Sequence, residues 1–153
     1  MQPDAYDDLD RHLPEADDIA AAAVPTGMYL AWCVNLQLLD PGFARDHESS
    51  ILRLRYREIT GAEFFIAVCG GRFTRAMLSE QGQRFTDAFY DFYLDEFRSV
   101  FGRDAYRVKD DWDHYDRLAP LLTRHFMTSV GRRSSTAAAD DTPSRRKWWQ
   151  RLC

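Results

Sequence analysis

The first residues equipped for chemistry are Tyr6-Asp7-Asp8, with His12 four positions further on. Two carboxylates and an imidazole this close can hold a metal ion or pass a proton. The same residues also make solvated or capping turns, and a binding surface is a further use. A second set is the ladder Asp87, Asp91 and Asp95, spaced i, i+4, i+8, which shares one face of a helix. Like charges at that spacing repel. Arg84, Arg98, arginines of another helix or a basic partner must offset them. A third is the run Asp110 to Asp116, in which Asp110 and His114 stand i, i+4, as helical metal ligands can. With no second histidine at a ligand spacing, it reads as the acidic start of a helix. The fourth is a basic-aromatic end: Trp148 and Trp149 among Arg145, Arg146, Lys147 and Arg151.

Charge is distributed unevenly around these candidates. The net charge of the 153 residues is -4. Residues 1–20 hold seven acids against Arg11 alone, whereas 132–153 hold six bases and two acids. The body before residue 132 is therefore near -8. An acidic body disfavours nucleic acid and favours a basic protein as partner. The three cysteines, Cys33, Cys69 and Cys153, form no CxxC pair, which argues against zinc and against a disulfide framework. Cys33 and Cys69 sit in apolar runs and read as small core residues. No apolar run approaches the ~20 residues needed to span a bilayer. The N-terminus lacks the basic start and apolar stretch of a secretory signal. GxxxxGK[ST], GxSxG, HExxH and the dinucleotide fingerprint are all absent. These features together predict a cytoplasmic protein that binds rather than catalyses, without cofactor or metal.

The elements that must position these residues are helical. Residues 1–16 look irregular. Asp17 or Asp18 can cap a helix to about Leu39, either kinked or begun at Pro25. Its second half, from Gly27, is apolar on nearly every side, as in a central helix. A second helix is expected over about 43–57, although Arg53, Arg55 and Arg57 alternate as in a strand. Thr60-Gly61-Ala62-Glu63 is a capping box, and Gly70-Gly71 closes the short helix it opens. Thr74 begins a single turn. Ser79 starts the longest helix, to about Phe101, with Phe85, Phe89, Phe92, Tyr93 and Phe97 as its buried stripe. A last helix over 109–130 carries Trp112, Tyr115, Leu118, Leu122 and Phe126, bent at Pro120. Residues 134–143 read as a flexible linker. The expectation is an all-α protein: one compact helical domain of about five to six helices over 1–131, and a flexible basic-aromatic tail over 132–153.

The run Tyr6-Asp7-Asp8, His12 and Gly27-Met28-Tyr29-Leu30-Ala31-Trp32 resembles a family of small bacterial proteins. Thr60-Gly61, Gly82 and Phe89-Tyr90-Asp91-Phe92-Tyr93 extend the likeness over about residues 5–100. Such proteins look like immunity proteins of toxin systems, and the family carries no catalytic motif to transfer. The resemblance implies a cytoplasmic protein that neutralises a basic toxin or effector. Tyr6, Asp7, Asp8, His12, Asp87, Asp91 and Asp95 would form its binding surface, with Trp148 and Trp149 from the tail. The tail can also fold back on the acidic body or touch an anionic membrane. An adaptor or chaperone for a secreted effector is the alternative, and a small metal-dependent hydrolase using Asp7, Asp8, His12 and the 110–116 cluster is a third.

Overall fold

The computed structural model describes the backbone of residues 5–140 and the side chains of residues 5–131. The chain divides into two units, Met1–Ala119 and Pro120–Cys153, and the site described below lies wholly in the first.

The centre of the first unit is α1, Ile19–Asn35. The Asp18 carboxylate caps it, accepting from the Ala21 amide at 2.8 Å. Every residue from Ala22 to Val34 is buried, so the all-round apolar stretch is indeed a core helix. Pro25 lies inside α1 without ending it. The helix stops at Asn35 rather than near Leu39: Gln37 takes a positive φ of 58° and turns the chain.

The second expected helix is two helices, α2 (Pro41–Asp46) and α3 (Glu48–Arg55). His47, at φ -124° and ψ 29°, leaves helical geometry between them. Arg53 and Arg55 are helical despite their strand-like alternation, and Arg57 (φ 62°) turns the chain away.

Helix α4 (Gly61–Ala67) opens on the expected capping box: Thr60 accepts from the Glu63 amide while Glu63 accepts from the Thr60 amide. It crosses α1 where two glycines meet. A Cβ on Gly61 would lie 2.0 Å from the Gly27 carbonyl oxygen, and one on Gly27 would lie 2.4 Å from the Ala62 nitrogen. The helices approach this closely only because both side chains are missing.

A small antiparallel sheet departs from the all-helical expectation. Strand β1 (Ala5–Asp8) pairs with β2 (Arg72–Thr74) in the register Ala5 to Thr74, Asp7 to Phe73 and Asp8 to Arg72. Tyr6 is the extra residue of a bulge between Ala5 and Asp7. Four residues punctuated by acids do not announce a strand. Their partner lies more than sixty positions away, beyond the reach of local patterning.

The long helix expected from Ser79 is also interrupted. Helix α5 (Glu80–Phe89) is capped by Ser79, a 3-10 turn follows at Tyr90–Phe92, and α6 (Tyr93–Phe101) ends at Gly102, φ 104°. Phe85, Phe89, Tyr93 and Phe97 remain buried, but Phe92, placed in the stripe by its spacing, is 60% exposed. The tighter turn rotates it off the core face.

Helix α7 (Trp112–Asp140) begins later than expected and continues through residues 134–140, which had read as linker. Three consecutive alanines in that stretch favour a helix. Asp111 caps α7, accepting from the His114 amide at 2.8 Å. Seven α-helices, five short 3-10 turns and the two-stranded sheet are the elements of the described residues, a mostly all-α protein. No helix among them is long and apolar enough to cross a membrane. Trp148 and Trp149 lie outside the described residues.

Candidate functional site

The bulge at Tyr6 sets the site. It lets neighbouring side chains depart from strict alternation, a common use of bulges. Asp7 goes inward and is only 5% exposed. A buried carboxylate is costly unless donors surround it. Here His12 Nε2 lies 2.8 and 2.9 Å from its two oxygens. Tyr90 donates to Oδ2 at 2.6 Å, Thr26 donates to Oδ2 at 2.9 Å, and the Asp8 amide donates to Oδ1 at 2.9 Å. Arg11 Nη1 stands 3.6 Å from Oδ1 at the exposed edge. Burial pushes the Asp7 pKa up, but the bonds from His12, Tyr90 and Thr26 outweigh it and hold the carboxyl below its ordinary value.

His12 is 7% exposed and fully engaged. A carboxylate can only accept, so Nε2 carries the proton shared with Asp7. Nδ1 lies 2.6 Å from the Tyr106 hydroxyl. Asp7, His12 and Tyr106 therefore form a chain of hydrogen bonds from β1 to the turn Ala105–Arg107. The bonds tie β1, α1 and the turns at Tyr90 and Tyr106 together.

A second cluster stands beside it. The Tyr6 hydroxyl donates to Asp87 Oδ1 at 2.6 Å and accepts from Arg75 Nη1 at 3.2 Å, and Arg75 pairs directly with Asp87. Burial and the Asp87 bond push the Tyr6 pKa up, while the bond from Arg75 holds Asp87 down. Asp87 is thus compensated within the chain.

The other members of the ladder differ. Asp91 lies in the 3-10 turn and Asp95 in α6, so the three acids do not share one helix. Asp91 and Asp95 are exposed, and their side chains have no ion pair or hydrogen bond among the described residues. With Tyr6, Arg11, Tyr90 and Arg98 they line a cleft of about 260 Å³ that reaches Asp7 and His12. Asp8 faces elsewhere and accepts from the Arg11 amide at 3.2 Å as a local cap.

Of the expected surface residues, then, Asp7, His12 and Tyr6 are internal framework, and Asp8 and Asp87 have partners of their own. Only Asp91 and Asp95 present free charge. The 110–116 run assembles no metal site: Asp110 accepts from Thr60 at 2.8 Å and His114 Nδ1 meets Asp111 at 2.7 Å. No group of three or more potential ligands suited to a metal ion occurs among the described residues. Sequence reading missed Thr26, Arg75, Tyr90 and Tyr106. Thr26 carried a faint signal as a hydroxyl inside an otherwise apolar helix; the others carried none.

The fold and site define a small helical domain clasped by a buried Asp–His–Tyr network. The chain belongs to the family described as Domain of unknown function (DUF7832), whose model matches residues 5–109. That span holds Asp7, His12, Thr26, Tyr90 and Tyr106, the whole network, but not α7. No curated protein and no solved structure matches the chain.

Proposed function

We propose that this protein is a cytoplasmic immunity protein, one that neutralises a basic toxin or effector by binding it and not by chemical turnover. The observation that carries this reading is Phe92. It is 60% exposed, and the side chains of Asp91 and Asp95 beside it form no ion pair among the described residues, although Arg11 and Arg98 line the same cleft. An exposed aromatic flanked by unpaired acids is suited to anchoring a basic surface: the ring supplies buried area and the acids supply steering and register. The clasp around Asp7 supports the exposed edge formed by Asp91, Phe92 and Asp95 (the ridge), because Tyr90, next to Asp91, is bonded to Asp7. A rigid support lowers the ordering cost of binding.

The test is co-expression with the product of a neighbouring toxin gene, followed by association kinetics on the purified pair. Protection of growth and binding are expected. Asp91→Lys and Asp95→Lys should slow association and flatten its dependence on salt. Phe92→Ala should weaken binding by roughly tenfold or more, mainly by faster dissociation. Neither protection nor binding, or kinetics indifferent to all three substitutions, would overturn the reading.

A further inference from the structure

Although the chain is acidic overall, one groove collects its cations. Arg103, Arg107, Lys109 and Arg117 line, with Phe101 and His114, an open groove of about 600 Å³ between the end of α6 and the first turns of α7. Two of the acids nearby are engaged. Asp104 lies 2.9 Å from Arg107 Nε, and Asp111 is held by the amide and ring of His114. Arg117 is fixed in place: its guanidinium lies over the Phe101 ring, 5.0 Å from the centroid, and Nη2 donates to the Val100 carbonyl at 3.2 Å. Arg103 and Lys109 make no side-chain hydrogen bond or ion pair among the described residues.

The groove lining is therefore net positive, four cations against the single acid Asp104, although Arg107 is paired with Asp104 and Lys109 acts on Asp111. An anchored guanidinium group presents planar donors that fit phosphate oxygens, and a lysine adds a mobile point charge. The cations are spread across a groove wider than a single ion, which favours an anion with charge at more than one point. The acidic remainder of the body repels a long polyanion, so a compact ligand is favoured over nucleic acid. We propose that this groove binds a small ligand carrying two or more phosphate groups. It shares no residue with the Asp91–Asp95 ridge, and its test is independent of partner binding there.

The experiment is calorimetric titration of the full chain with inorganic pyrophosphate, alongside orthophosphate and a single-stranded oligonucleotide. Saturable pyrophosphate binding is expected, about tenfold or more tighter than orthophosphate. Arg103→Glu and Lys109→Glu should each weaken it by about tenfold, the loss of one charge-assisted contact. Lys109→Arg should retain it, and Arg53→Glu with Arg55→Glu on α3 should leave it unchanged. Melting curves without ligand should match wild type for both groove variants, since neither side chain has an internal bond to lose. The proposal is overturned by absent saturation, by equal losses from the α3 substitutions, or by an oligonucleotide that binds more tightly than pyrophosphate.

Discussion

Tyr90 donates a 2.6 Å hydrogen bond to Asp7 across 83 positions of sequence. It joins the first strand to the turn that separates α5 from α6. The bond goes to a carboxylate held in its charged form, the stronger kind of protein hydrogen bond. Tyr90→Phe should therefore lower unfolding free energy by about 1–3 kcal/mol, read from urea denaturation. An unchanged midpoint would show that Asp7 finds another donor.

The acid limb of stability should report Asp7 itself. Folding holds its pKa below the ordinary 3.8, so the folded state favours the ionised group. That contribution is whole above pH ~4 and is lost as pH falls through the lower folded value. Asp7→Asn should cost about 3–5 kcal/mol near neutrality, because it breaks a buried pair and leaves donors unanswered. The gap between variant and wild type should close below pH ~4. A gap constant from pH 7 to pH 3 would mean that the carboxylate charge is not what stabilises the clasp.

These contacts mark the limit of what the sequence could reveal. The capping box at Thr60, the left-handed pair Gly70-Gly71, the buried length of α1 and the core role of Cys33 and Cys69 were all legible, because each rests on neighbours a few positions apart. Asp7 and His12 were visible as chemistry, but their burial was not: the residues that enclose them, Thr26, Tyr90 and Tyr106, come from distant parts of the chain. The break at Tyr90–Phe92 was hidden for the same reason. The aromatic spacing 85, 89, 93, 97 fits a continuous helix, and only tertiary contacts show that residues 90–92 tighten. Phe92 was thereby assigned to the core, although its exposure is what makes the ridge.

The crossing of α1 and α4 should resist even one added carbon. Alanine is the better helix former, by about 1 kcal/mol. At Gly27 its Cβ would nonetheless meet the Ala62 backbone, which cannot move aside as a flexible side chain can. Gly27→Ala and Gly61→Ala should each destabilise by about 1–3 kcal/mol or more, measured by thermal or urea unfolding. A gain in stability from either would mean that the helices can separate at little expense.

Asp87 and Asp95 should respond differently to the same substitution. Asp87→Asn loses the pair with Arg75 and weakens the bond from Tyr6, and should cost roughly 0.5–1 kcal/mol. Asp95→Asn has no internal partner to lose and should stay within about 0.5 kcal/mol of wild type. Melting temperatures at low and high salt distinguish them, since salt should narrow the Asp87 difference. Equal effects would contradict the division of the acids into framework and free surface.

The clasp also orders events in time. Asp7 leaves the ribosome long before Tyr90, and His12 precedes Tyr106 by 94 positions. The network cannot close until nearly the whole family span has been synthesised. Contacts of such long sequence separation form slowly, because the intervening loop must first be ordered. Until then the aspartate and histidine remain hydrated, and β1 has no reason to stay in place. The earlier of the two described strands is thus among the last parts of the fold to lock, and a nascent chain halted before Tyr106 would carry it unfastened.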